Sequence, residues 1–217
     1  MRGYVQCSWY NHWTSIMIED IFKDHPTVLP AVGLIKKVDF FVAETPFDLK
    51  VTYLPEGFIK DKRKEKTLRP ELTLLKQCAR KLKLQFDSKM SPAKLLEYLW
   101  TRVSDHPSEK ANTLIEELTE ERETILNSCL KNPEELIKWL YENQGERRFD
   151  SSNRLFLVLA NTGNYFDSWK LKRARDLLVS RINKDLYEGE FGRNVEFEWE
   201  GENYTTVADI IFVTHAA

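Results

Sequence analysis

Apolar residues change their spacing several times along the chain, and each change marks an element. Over residues 8–24, Met17, Ile18, Ile21 and Phe22, with Tyr10 and Thr14, fall on one broad helical face. Trp9, Trp13 and Ile16 make an adjoining face, with Asp20 close beside it. Ser8 is a candidate cap, and Pro26 follows the end of the helix. From residue 28 the helical spacing is gone. KKVDFFVA and PFDLKVTYL are rich in Val, Phe, Thr and Tyr and flank Glu44-Thr45-Pro46, which predicts two antiparallel strands. VLPAVGLI ahead of them reads as a third.

Residues 55–69 are charged and read as a loop or the start of a helix. Four helices are predicted next, at 70–85, 91–103, 108–130 and 133–145. Their starts carry Pro70-Glu71, Ser91-Pro92, Pro107-Ser108-Glu109 and Asn132-Pro133-Glu134. RLFLVLA at 154–160 is apolar without alternation, as in a strand buried on both faces. A single helix is predicted over 168–186, with Leu171, Ala174, Leu177, Leu178 and Ile182 inward. Lys170, Lys172, Arg173, Arg175, Arg181 and Lys184 occupy its remaining surface. The tail alternates around Gly201-Glu202-Asn203 as a terminal hairpin. The order is that of one mixed α/β domain, residues 1–217, with a helical insertion or subdomain at 60–145.

Composition sets bounds on this picture. The chain has 217 residues, 42% of them hydrophobic and 30% charged, which supports a packed core. A formal net charge of −2 excludes a polybasic chain, yet a local basic face is enough to meet phosphates. Cys7, Cys78 and Cys129 are scattered without CxxC spacing and point to a reducing, cytoplasmic setting. No apolar run approaches the roughly 20 residues of a membrane span. The four histidines show no zinc-ligand spacing, and no Walker A or GxGxxG segment is present.

The chemistry concentrates in the predicted hairpin. Alternation places Asp48, Lys50 and Thr52 on one face of their strand, and Asp39 with Phe41 on one face of the partner. With the turn centred between Glu44 and Thr45, Asp39 lies directly across from Lys50. Two carboxylates and a lysine then converge. Magnesium typically takes one or two carboxylates plus water and phosphate oxygens. A neighbouring lysine can orient the attacking water or stabilise phosphate charge.

Val38-Asp39-Phe40-Phe41 followed by Pro46-Phe47-Asp48-Leu49-Lys50-Val51-Thr52 resembles the D…(D/E)xK signature of the PD-(D/E)xK, restriction-endonuclease-like nucleases. Asp39 matches the first acid, and Asp48 and Lys50 match the (D/E)xK pair. That superfamily often carries a further acid on the helix before the sheet, and Glu19 matches it best, with Asp20 its rival. The resemblance implies a mixed central sheet flanked by helices and a Mg²⁺- or Mn²⁺-dependent DNA endonuclease, such as a type II restriction or other defence nuclease. It implies Asp39 and Asp48 as metal ligands, Glu19 and Lys50 as their catalytic companions, and a homodimer as one way to cut both strands. Val38 stands where the family often has proline. Asp87-Ser88-Lys89 also spells DxK, but in a loop.

Lys170, Arg173 and Arg175, and Lys60 with Arg63 in the run 60–66, are candidate phosphate contacts, or else ordinary solvated faces. Glu142, Gln144, Glu146, Arg147 and Arg148 precede the apolar strand and either border a site or cap a helix. A non-catalytic binding or assembly protein, its hairpin carrying a plain ion pair, is the alternative, and a nuclease acting on RNA or single-stranded ends is a third reading.

Overall fold

The computed structural model describes residues 2–32, 38–143, 153–199 and 201–215. The chain divides into two compact units, one of residues 1–53 with 132–217 and one of residues 54–131. The expected insertion of 60–145 therefore starts earlier and ends earlier.

The first unit is a sheet flanked by helices. Helix α1 (Arg2–Lys23) leads into strands β1 (Val28–Pro30), β2 (Phe40–Val42) and β3 (Thr45–Tyr53). The chain returns through α6 (Glu134–Glu142) and β4 (Arg154–Asn161). A 3-10 helix (Tyr165–Arg173), α7 (Arg175–Glu188), β5 (Asn194–Trp199) and β6 (Glu202–His215) complete it. The sheet order is β1-β2-β3-β4-β6-β5. Strand β4 is parallel to both β3 and β6, and the outer pairings are antiparallel. Its apolar run is buried from Arg154 to Ala160, as an uninterrupted hydrophobic strand requires.

One face of the sheet packs against α1 and α7. Ile18, Ile21 and Phe22 of α1 and Leu178, Ile182 and Leu186 of α7 close over Phe47, Leu155, Leu157, Ile211 and Val213. The Phe22 and Phe40 rings stack at 5.0 Å. On the other face Tyr141 of α6 meets Phe156 edge-on at 5.6 Å and stacks on Phe197 at 4.7 Å. Helix α6 thus belongs to the sheet, which is why the second unit stops short of it.

Two helical expectations need correction. Helix α1 starts at Arg2, so Ser8 lies inside it instead of capping it, while Pro26 does follow its end. Met17, Trp13 and Ile16 are exposed, so its buried face is narrower than the spacing implied; the side chain of Trp9 lies outside the described residues. The helix expected over 168–186 is two elements that meet at Ala174. Ser168 anchors the first of them. Its buried hydroxyl accepts the Asn161 N–H at 3.0 Å and donates to the Tyr165 carbonyl at 2.7 Å, tying this turn to the end of β4. Asn164 caps the same turn by accepting the Phe166 N–H at 3.1 Å.

The second unit holds α2 (Glu56–Glu65), α3 (Glu71–Lys81), α4 (Pro92–Ser104) and α5 (Glu109–Lys131). Residues 55–69, read as a loop or helix start, are mostly α2. Phe58, Ile59, Leu75, Leu95, Leu99, Val103, Leu118 and Ile125 are buried. Arg122, 1% exposed, joins two carboxylates inside this unit. Its Nη1 and Nη2 reach Glu56 at 2.9 and 2.7 Å, and its Nε and Nη2 reach Glu71 at 2.9 and 2.6 Å. Such a doubly bidentate arrangement is what lets a guanidinium be buried.

Candidate active site

The hairpin closes through a two-residue turn, Ala43-Glu44, with both residues at positive φ (46° and 75°). That is the primed turn geometry whose twist matches paired strands. It pairs Val42 with Thr45, Phe41 with Pro46 and Phe40 with Phe47. The turn therefore sits one residue earlier than expected, and the register moves by two. Asp39 is not across from Lys50. It lies at the end of the pairing, where its N–H donates to the Phe47 carbonyl at 2.8 Å and its Oδ2 accepts the Leu49 N–H at 2.8 Å. Displacement by an even number of residues leaves every side chain on its original face. Asp39 and Asp48 still share the face opposite the α1 core.

Lys50 Nζ contacts Asp48 Oδ1 at 2.6 Å, with the Asp48 side chain 15% and the Lys50 side chain 37% exposed. Each carboxylate thus has one oxygen engaged. Asp39 Oδ2 and Asp48 Oδ1 are the engaged oxygens, and among the described residues no protein donor meets Asp39 Oδ1 or Asp48 Oδ2. Asp39 is half-buried, and burial is the main cause that raises its carboxyl above the usual range. The Leu49 N–H opposes this, Glu19 and Asp48 add to it, and Lys50 opposes it again.

Glu19 is therefore within electrostatic reach of Asp39, although α1 also pairs it with Lys23. Its rival Asp20 is exposed. The fold brings Asp39, Asp48 and Lys50 together on the hairpin, and Glu19 reaches them only through its charge on Asp39. Among the described residues, no three His, Cys, Asp or Glu side chains are grouped so as to hold a metal ion. A shell of three protein carboxylates is thus not formed. Two carboxylates, each with an oxygen to spare, fit the sparser demand of Mg²⁺ or Mn²⁺, which complete their shells with water and phosphate oxygens.

Arg154 was missed as a site residue. It is the partner of Asp48 across the parallel β3–β4 ladder, is 1% exposed, and sets its guanidinium 4.9 Å from the centre of the Tyr141 ring. The available signal was an arginine opening a run of wholly buried apolar residues, where a charge is rare without a partner. Burial pushes the Tyr141 phenol up to about 12.

The proposed phosphate contacts are dispersed. Lys170 is exposed and pairs with Asp167 at 2.9 Å. Arg173 is exposed and covers the Tyr10 ring at 4.5 Å. Arg175 is exposed at the start of α7, and Lys60 is exposed on α2 of the other unit. Arg63 points inward: it is 3% exposed, donates to the Arg69 carbonyl at 2.9 and 2.6 Å, and pairs with Glu121. Its position on the buried side of α2 removes it from any solvent face. Lys172 is also buried, its ammonium 5.5 Å from the Tyr53 ring centre, where burial lowers its pKa. Glu142 is exposed, and Gln144, Glu146, Arg147 and Arg148 lie outside the described residues.

No helix among the described residues is long and apolar enough to cross a membrane. No family model matches the chain, and neither a curated protein nor a solved structure matches it.

Proposed function

We propose that this chain is a divalent-metal-dependent phosphodiesterase that cleaves DNA. One observation carries the reading: Asp39 and the Asp48–Lys50 pair occupy one face at the point where β2 stops pairing with β3. Asp39 and Asp48 would hold Mg²⁺, or Mn²⁺ in its place. When bound, such an ion supplies a Lewis acid for the phosphate and a more acidic water. Lys50 is held by Asp48 at the edge of the site, where its ammonium can face a phosphate oxygen and balance developing charge. Glu19 favours the protonated form of Asp39, so an arriving cation relieves repulsion among the carboxylates. Arg154 backs Asp48 from the next strand. A role in restriction or another defence pathway, and a homodimer that cuts both strands, belong to the same reading.

The test is cleavage of supercoiled plasmid and linear DNA in Mg²⁺, in Mn²⁺ and in EDTA. Asp48→Ala and Lys50→Ala proteins, checked for folding, run alongside. Metal-dependent nicking lost in both variants supports the proposal. Absence of cleavage on duplex DNA, single-stranded DNA and RNA, with no Mn²⁺ uptake by calorimetry, defeats it. A second reading, a non-catalytic binding protein, draws on the closure of Asp48 Oδ1 by Lys50 at 2.6 Å, the geometry of an ordinary structural ion pair. It requires that Asp48→Ala change neither metal binding nor any activity.

A further inference from the structure

We infer that the surface formed by Tyr10, Trp13, Trp169, Lys170 and Arg173 is a platform for a single-stranded nucleic acid; its purpose, though not its test, rests on the phosphodiesterase reading. Trp13 is 50% exposed and Trp169 is 45% exposed. Indoles are the largest apolar side chains, and two left this open in one neighbourhood mark an interaction surface. They are joined through Tyr10. Its ring meets that of Trp169 edge-on at 5.9 Å, and its hydroxyl donates to the Trp169 carbonyl at 3.2 Å. Trp13 follows Tyr10 by three residues on α1 and so stands beside it, one turn along.

Cations are set on these rings. Arg173 lies 4.5 Å from the Tyr10 ring centre, and Lys170 lies 5.9 Å from that of Trp169. Lys170 also pairs with Asp167, but its side chain is 57% exposed, and such a pair exchanges readily for a phosphate. Exposed rings interleaved with cations suit a strand whose bases stack while its phosphates are neutralised. A duplex hides its base faces and would use the cations alone, leaving both indoles uncovered. Tyr53, at the other end of β3 from Asp48, is the strand residue in electrostatic reach of Tyr10, so a strand held at the rings has five residues of β3, about 17 Å, to follow before it meets the hairpin carboxylates.

The experiment is fluorescence anisotropy of a labelled single-stranded DNA of roughly 16 nucleotides, titrated with the full chain in EDTA over a range of salt. The same sequence as a duplex is the comparison. Trp169→Ala is expected to weaken single-strand binding about tenfold, and Trp169→Phe to restore most of it. Arg173→Gln is expected to weaken binding and reduce the salt slope by about 0.7. Lys184→Gln, which removes an exposed cation of α7 away from the rings, is expected to bind as the unaltered chain does. The inference is overturned if Trp169→Ala and Trp13→Ala both bind normally. It is equally overturned if the duplex binds as tightly and responds the same way, or if no oligonucleotide binds, which would assign the surface to a protein partner. Binding that depends on Trp169 without any cleavage removes the phosphodiesterase reading and leaves the platform. Cleavage with binding indifferent to Trp169 does the reverse.

Discussion

Asp39 accepts the backbone N–H of Leu49 at 2.8 Å, the position a neighbouring strand's carbonyl would occupy had β2 continued. One carboxylate oxygen finishes the ladder while the other faces the candidate site. Asparagine can replace the first function and serves poorly in the second. Asp39→Asn should therefore keep stability within about 0.5 kcal/mol, whereas Asp39→Ala should lose about 1–2 kcal/mol by leaving the Leu49 donor unsatisfied. Both should abolish Mn²⁺ binding. Urea unfolding beside calorimetry separates the two effects, and an Asp39→Asn protein that binds Mn²⁺ normally excludes Asp39 as a ligand.

Asp48 and Lys50 form the most direct contact in the site, at 2.6 Å. Removal of Lys50 should lower the rate of DNA cleavage by about a hundredfold or more while leaving Mn²⁺ binding in place. Removal of Asp48 should eliminate both. Equal loss of metal from both variants would mean that Lys50 acts only by arranging Asp48.

The Ala43-Glu44 turn holds two non-glycine residues at positive φ. Asn-Gly suits that backbone far better. Ala43→Asn with Glu44→Gly should raise stability by about 1 kcal/mol, read as a shift in the urea midpoint with an unchanged slope. A turn centred one residue later would give no such gain.

Arg122 bridges Glu56 and Glu71, and Arg63 is a further cation in electrostatic reach of Glu71. Arg122→Ala leaves the buried Glu71 without its bidentate partner, while the half-exposed Glu56 can turn to water, and should destabilise the chain by about 3 kcal/mol. Converting all three to apolar residues of similar volume should recover most of that loss. A triple variant as unstable as the single one would show that packing, not stranded charge, is responsible.

His25 is 4% exposed, and its Nδ1 accepts the Thr27 N–H at 3.3 Å and lies 2.8 Å from the Thr27 hydroxyl. Burial lowers its pKa below 6.5, so the folded chain favours the neutral ring. The stability this provides is complete above the unfolded value and is lost as pH falls through the folded one. Thermal midpoints should drop on acidification below about pH 6.5, and His25→Phe should flatten that limb. Parallel curves for the two proteins would assign the acid sensitivity to other groups.

The elements with strong periodicity or strong caps were legible. The helices starting at Pro70, Ser91, Ser108 and Pro133 and the doubly buried β4 stand where spacing put them. Of the site, the shared face of Asp39 and Asp48 was legible, because alternation survives an error of two in register. The partner of Asp39 was not, because the primed turn at Ala43-Glu44 lacks the glycine or asparagine that would announce it. The inward turn of Arg63 and Lys172 was hidden for a related reason. Their destinations, the Arg69 carbonyl with Glu121 and the Tyr53 ring, are not set by helical spacing. The 3-10 turn ahead of Ala174 was hidden too, because Ser168 ties it to Asn161 at the end of the preceding strand.

Because β3 and β4 run parallel, no hairpin can join them, and residues 54–131 lie in the interval. During synthesis the β1–β3 meander leaves the ribosome long before residues 154–161 do. The intervening helices, whose contacts lie close in sequence, can become native in that time. Strand β3 meanwhile has an open edge, the kind of surface on which nascent chains aggregate. Asp48 and Lys50 place two opposite charges on that waiting strand. The side chains offered here for phosphate chemistry therefore also guard an unfinished sheet, and neutralising both should show first as insoluble protein during expression.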